Sequence, residues 1–306
     1  MEEIRIFAPA TIANVSCGFD ILGLCLEAVG DEMVVRKVPE KGIKITKIIG
    51  QNLPLETENN VAGVAGLALL ENIDIDFGFE IEIYKNIKPG SGIGSSAASS
   101  AGAVFGMNEL LGKPFSPLEL IAFAMQGEKL ASGSAHADNV APALLGGFTL
   151  VRSYGPLDVI KIDAPSELYA TVIHPQIEVK TSDSRSVLKQ QVSLKKMVKQ
   201  MGNLGGLISG LYTQDYELIS RSLHDEIIEP NRSILIPEFN KVKIGAINVG
   251  ALGAGISGSG PSVFALSKGE EIAKKVGVIM AEIYEDIHID YDVHVSKINQ
   301  EGIRIL

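Results

Sequence analysis

The apolar positions change period along the chain, and each change predicts an element. Ile4 to Phe7, Met33 to Val38 and Gly42 to Ile49 are β-rich runs, and Phe79, Ile81 and Ile83 alternate with Glu80, Glu82 and Lys85 as in a strand with one buried face. Val61, Val64, Ala65, Ala68 and Leu69 fall instead at helical spacing. Ser95 to Leu111 reads as a helix of small residues ended by Gly112 and Pro114, and Ser116-Pro117 caps a second helix running to about Ala131. Phe148 to Arg152 and Val159 to Ile162 form a hairpin-like pair about the turn Tyr154-Gly155-Pro156.

The second half opens with Leu168 to His174 as a strand and becomes mainly helical from Ser184 to about Leu223. Ile244 to Val249 and Ser262 to Leu266 read as short strands on either side of a Gly/Ser loop. Glu270 to Tyr284 is an amphipathic helix, and Val293 and Val295 begin a last strand. This mixture predicts an α/β or α+β fold in two layers, without repeats. The expected division is residues 1–160 and 161–306, packed tightly because no linker separates them, with a shared cleft.

Composition narrows the function. With 27 Lys and Arg against 37 Asp and Glu, the net charge of −10 disfavours a nucleic acid or an anionic membrane as partner. Cys17 and Cys25 are the only cysteines, with no metal spacing around them, which excludes a disulfide framework and a zinc site. The acidic, alternating start lacks the basic end and apolar run of a signal peptide, so the cytoplasm is the expected compartment. Glycine is in excess, at 32 of 306 residues. Much of it gathers between Gly90 and Gly94 and between Gly245 and Gly260, expected to be opposing walls of one cleft.

The densest block is Pro89-Gly90-Ser91-Gly92-Ile93-Gly94-Ser95-Ser96-Ala97-Ala98-Ser99, between a predicted strand and a predicted helix. Glycines there permit positive φ and close approach of backbone N–H groups, and the helix start offers unpaired donors; an anion, most naturally nucleotide phosphate, is the expected ligand. A plain capped turn needs one serine and one glycine, not this density. No phosphate-loop lysine follows the glycines, so a metal must share the neutralisation; Glu128 with the hydroxyl of Ser95 or Ser96 is a suitable hard-oxygen pair for Mg²⁺. Taken alone, Glu128 reads as a solvated helix charge.

In the later block, Gly253, Gly255 and Gly258 spell a dinucleotide fingerprint, but a strand follows where that motif requires a helix, so the match is rejected. The remaining polar clusters are Asn14, Ser16 and Asp20, and His136 with Asp138 and Asn139. Asp20 could simply cap a helix beginning at Ile21, and His136 alone reads as a structural histidine. Arg185 and Arg232 have the planar fork that suits a carboxylate, although each alone reads as a surface ion pair.

The three glycine-bearing blocks, in this order, resemble the GHMP kinase superfamily over essentially the whole chain: Ala8-Pro9-Ala10-Thr11-Ile12-Ala13-Asn14 with Gly18-Phe19-Asp20, then Pro89 to Ala98, then Gly253 to Pro261. Within it, Asn14 with Gly18 to Leu24, His136 to Ala143 and Glu229-Pro230-Asn231-Arg232 are most similar to the homoserine kinase family. The resemblance implies an α+β fold with an N-terminal nucleotide-binding domain containing a left-handed βαβ unit, a C-terminal ferredoxin-like sandwich, and the active site between them. It implies phosphorylation of L-homoserine by MgATP in threonine biosynthesis. Carried over by position, Asn60 and Pro89 to Ser99 hold ATP, and Ser96 and Glu128 hold Mg²⁺. Asn14, Asp20, His136, Asn139, Thr181, Arg185, Arg232 and Gly258 surround homoserine, the arginines taking its carboxylate and Asp20 its ammonium group. Asn139 positions the hydroxyl, with Asp138 the alternative as a base. The first block lacks the lysine of mevalonate kinases, Ala10-Thr11 standing there. The alternatives are a GHMP kinase for another small alcohol and an inactive nucleotide-binding regulator with this fold; a two-fold dimer is a further expectation.

Overall fold

The computed structural model of the chain describes residues 2–179 and 181–306; the side chains of Thr181 and Ser182 lie outside the description. The first half gives β1 (Glu3–Ala13), β2 (Leu22–Val38), β3 (Gly42–Ile49), α1 (Val61–Leu70), β4 (Gly78–Tyr84), α2 (Ser95–Leu110), α3 (Pro117–Ser132), α4 (Val140–Leu145), β5 (Phe148–Tyr154) and β6 (Leu157–Ile162). The second gives β7 (Leu168–Pro175), α5 (Thr181–Ser186), α6 (Leu194–Thr213), α7 (Tyr216–Ser222), α8 (Glu229–Arg232), α9 (Phe239–Asn248), β8 (Gly253–Ile256), β9 (Val263–Lys268), α10 (Glu270–Asp286), β10 (Tyr291–Lys297) and β11 (Arg304–Ile305).

Among the described residues, β11-β1-β2-β4-β3 run side by side, and β5 extends β2 and carries β6, making a seven-stranded sheet. β3 and β4 are parallel and joined through α1; the other pairs are antiparallel. The alternation predicted for β4 holds, with Phe79, Ile81 and Ile83 buried. α2 lies on this sheet because its small residues let it: a Cβ on Gly102 would fall 2.3 Å from Met33 Sδ, and one on Gly106 2.6 Å from Val35 Cγ2. Gly127 of α3 makes the same close approach to Ser100, which brings Glu128 up to the start of α2.

The second sheet has the order β10-β7-β9-β8, all antiparallel, with α9 and α10 packed on it. Strand, helix, two strands, helix and strand in this spatial order form the ferredoxin-like arrangement. The two sheets are stitched by the chain end: Asn299 N donates to Cys25 O, Gly147 N donates to Asn299 O, and β11 adds to β1. None of the described helices is long and apolar enough to cross a membrane.

Two local expectations are corrected. Ile244 to Val249 is not a strand, since all but Val249 belongs to α9; Phe239, Val242 and Ala246 are buried at helical spacing while Ile244 and Ile247 face outward. The strand is Gly253–Ile256, inside the glycine block, because only small residues fit there: a Cβ on Gly253 would lie 2.6 Å from Leu223 Cβ. Asp20 caps no helix. It ends a turn that leads into β2, in which Asn14, Val15, Ser16 and Asp20 have φ of 70, 38, 64 and 60°. Left-handed backbone at a β-branched valine is costly, and such strain is characteristic of binding loops.

Candidate active site

A cleft of about 370 Å³ lies where the nucleotide-type loop, the Asn14–Asp20 turn and the Ser257–Ser259 turn meet. The end of β4 delivers the chain to Pro89, and Gly90, Gly92 and Gly94 all take positive φ before α2 begins at Ser95. Gly94 is the tightest point: φ is 71°, and a Cβ would fall 2.1 Å from Thr11 Oγ1 and 3.1 Å from Asn139 Oδ1. The loop therefore presents backbone rather than side chains, together with the first-turn N–H groups of a 16-residue helix, to the cleft.

The two glycine blocks are not opposing walls. Ser257 Oγ donates to Gly92 O at 2.7 Å, and Ser262 donates to Ser91 O through both its Oγ and its N at 2.6 and 3.3 Å. The later block braces the nucleotide-type loop directly, and only Gly258 and Ser259 of it reach the cleft.

Glu128 is 8% exposed, and its Oε1 has no hydrogen-bond partner. Burial pushes its carboxyl up to about 7, against the opposing influences of the Ser96 hydroxyl and the Lys85 ammonium. Ser95 is unavailable to it because its Oγ donates to Ile87 O at 2.9 Å. An unsatisfied buried carboxylate oxygen beside a hydroxyl suits a hard divalent cation. No group of three or more His, Cys, Asp or Glu able to hold a metal occurs among the described residues, so a cation here would need oxygen ligands besides carboxylates.

At the other end, Asn14 Oδ1 accepts from Asp20 N at 2.9 Å and its Nδ2 donates to Gly258 O at 2.8 Å, closing the strained turn. Tyr154 Oη donates to Asp20 O and accepts from Ala137 N, tying that turn to the His136–Asn139 segment. Arg185 Nη2 donates to His136 Nε2 at 2.7 Å and lies 3.4 Å from Asp20 Oδ1. Burial lowers the His136 pKa, partly offset by Asp20 and reinforced by Arg185, which keeps the ring neutral to accept that bond. Arg232 is 3% exposed, donates to Ser184 O and Gly258 O, and stacks 5.0 Å from the Phe19 ring centroid. Among the described residues no carboxylate lies within ion-pair distance of it. A buried guanidinium in that position calls for an anion.

Of the residues expected at the site, Asn14, Asp20, Pro89, Gly90, Gly92, Gly94, Ser95, Ser96, Ser99, Glu128, His136, Asn139, Arg185, Arg232 and Gly258 line one cleft. Asn60 does not: its side chain caps α1 by accepting from Ala62 N and donates to Pro54 O, leaving its neighbour Val61 on the wall. Ser91, Ile93, Ala97 and Ala98 are buried behind the loop. The Thr181 side chain lies outside the described residues.

Residues 59–147 match the family model described as the GHMP kinases N terminal domain, and residues 194–286 match the GHMP kinases C terminal model. The homoserine kinase of Chlorobium phaeobacteroides strain DSM 266 is 47% identical, with all of both chains covered, and that of Chloroherpeton thalassium is 44% identical over the whole of both. A crystal structure of homoserine kinase from Cytophaga hutchinsonii is similar at a TM-score of 0.96 and 51% identity, covering 100% of this chain and 98% of that one. The chain belongs to the GHMP kinases, within the homoserine kinase family. Four residues of this kinase that its geometry singles out carry no local signal of a role in the sequence. Thr11 and Lys85 are hidden in strand patterns, Tyr154 in a hairpin and Phe19 in a turn; only the density of β-branched and small residues around Thr11 hinted at a crowded backbone approach.

Proposed function

We propose that this kinase transfers the terminal phosphoryl group of ATP to the side-chain hydroxyl of L-homoserine, giving ADP and O-phospho-L-homoserine. The observation that carries the substrate is Arg232, a buried guanidinium without a carboxylate partner among the described residues, set in the same cleft as the Asp20 carboxylate. A small zwitterion satisfies both ends. Its carboxylate takes Arg232 and Arg185, and its ammonium group takes Asp20, so the substrate exchanges the 3.4 Å Asp20–Arg185 contact for two new ones. A substrate lacking an amine leaves one end unpaired, and a neutral sugar leaves both.

The triphosphate lies along the Pro89 to Ser96 loop, where backbone N–H groups and the α2 dipole meet its charge. Ser96 and Glu128 would hold Mg²⁺, which would supply positive charge to offset that of the phosphates. Thr11 Oγ1 donates to Asn139 Oδ1 at 2.8 Å, which leaves the Nδ2 group of this cleft-lining residue as the donor to the substrate hydroxyl. An amide donor orients that oxygen but takes no proton. The loose transition state of phosphoryl transfer asks mainly for alignment and charge stabilisation, and the proton passes to the transferred group as it leaves. Asp138, buried and raised to about 7, lines the same cleft as a bystander in this scheme.

A coupled ADP-release assay with L-homoserine, mevalonate, galactose and shikimate tests the reading. Turnover above the ATPase background with homoserine alone is the expected result, and its absence with homoserine overturns the proposal.

A further inference from the structure

The ladder between β2 and β4 sets Glu32 opposite Tyr84, so Asp31 and Lys85 meet just beyond its end, beneath the glycine loop. Their side chains are 0% and 1% exposed and form a salt bridge. Lys85 Nζ also donates to Ser95 O at 2.9 Å and to Ser99 Oγ at 3.1 Å, both in the first turns of α2. Asp31 Oδ1 accepts from Asn86 N at 2.8 Å and Ile87 N at 2.9 Å, where the chain enters the loop. Ser95 Oγ closes the ring on Ile87 O.

One buried ion pair thus grips the loop at both ends, its entry through Asp31 and its exit through Lys85. An ammonium group has three donors. Here they are taken by Asp31, Ser95 and Ser99, so Lys85, although it borders the cleft, has none left for a phosphate oxygen. Its charge reaches the cleft as a field on Glu128 rather than as a ligand bond. A pair serving only the fold would be expected to bond within its own sheet. This one spends four of its bonds on the two ends of the loop.

We infer that Asp31 and Lys85 are positioning residues that hold the glycine loop and the first turn of α2 in their ligand-ready form before the nucleotide arrives. This rests on the kinase reading only in using MgATP as the probe. The test is calorimetric titration of MgATP into Lys85→Met and into Asp31→Asn/Lys85→Met, with thermal unfolding of each. The single variant leaves a buried carboxylate without its cation, so its Tm falls; the double variant removes both charges and regains much of it. Both are expected to bind MgATP at least about 10-fold more weakly than the unaltered chain, because neither has a group to hold Ser95 and Ser99. Homoserine binding, at the far end of the cleft, stays within about 2-fold. A folded variant of either kind that binds MgATP within about 2-fold of the unaltered chain overturns the inference, as does equal loss for both ligands.

Hydrogen exchange in the unaltered chain gives a second reading that does not depend on how the variants fold. The Asn86 and Ile87 amides are expected to be protected without nucleotide; rapid exchange that slows only on adding MgATP contradicts a preformed loop. If the unaltered chain binds MgATP but does not phosphorylate homoserine, the proposed activity fails and this inference stands.

Discussion

Thr11 Oγ1 donates to Asn139 Oδ1 at 2.8 Å, and Gly94 packs against this pair with no room for a side chain. One contact therefore joins the first strand, the tightest point of the glycine loop and the residue assigned to the acceptor hydroxyl. Thr11→Val keeps the bulk of the side chain and removes the donor. Freed from Thr11, the Asn139 amide loses its fixed orientation. A fall in kcat of about 10-fold is expected, worth ~1.4 kcal/mol in barrier, with KM for ATP within about 2-fold. Steady-state kinetics in both substrates checks this; an effect confined to KM for ATP would place Thr11 with the loop instead.

Gly94→Ala should act through the backbone. The new Cβ would collide with Thr11 at a residue whose φ of 71° already disfavours a side chain. MgATP binding is expected to fall by more than about 10-fold. Gly112→Ala is the control, since its φ is 84° but nothing lies within 4 Å of its Cβ. It should cost about 1 kcal/mol of stability and leave binding unchanged.

Much of this cleft was legible in the chain because close backbone approach needs glycine and phosphate needs N–H groups, both of which leave a compositional mark. The α2 and α3 boundaries followed from Pro, Gly and the Ser116 capping box. Other features left no local mark. β8 is a strand made of Gly-Ala-Gly-Ile, whose identity depends on Leu223 and Phe264 packed against it, so the apolar tail of α9 was the more strand-like run. Lys85 looked like the polar end of an alternating strand, and only the ladder to β2 brings it to Asp31. Asn60 matched by position, but nothing local in the sequence shows that its side chain caps α1 through Oδ1 and donates to Pro54 O through Nδ2.

If Glu128 holds the cation as proposed, metal dependence becomes a function of pH. With its carboxyl raised to about 7, protons compete with a cation below neutrality. Between pH 8 and pH 6 the ionised fraction falls about 10-fold, so the Mg²⁺ concentration for half-maximal rate should rise about 10-fold. In the metal-free chain the stability trend is opposite. Protonated Glu128 and Asp138 are favoured in the fold, so the folded state binds the extra protons and stability rises as pH falls from 8 toward 6. Thermal unfolding in chelator at several pH values checks the sign, and Glu128→Gln should flatten the metal trend and weaken the stability trend, to which Asp138 still contributes.

Arg232→Lys keeps a charge but loses the planar fork that Ser184 O, Gly258 O and Phe19 hold in place. KM for homoserine should rise about 10-fold or more, as expected from losing a charge-assisted bond of ~1.5–3 kcal/mol, while KM for ATP stays within about 2-fold. Equal effects on both substrates would show general damage to the cleft.

Asp138→Asn bears on the proton. If the transferred group takes it, kcat stays within about 10-fold of the unaltered chain. A loss of 10²-fold or more, of the size seen on removing a general base, would assign the proton to Asp138.

The most direct test of the whole account is phosphorus NMR of a reaction containing this chain, MgATP and L-homoserine. The account predicts a phosphomonoester resonance split by the two hydrogens of the carbon that carried the hydroxyl, growing in step with ADP. ADP accompanied only by inorganic phosphate would contradict it.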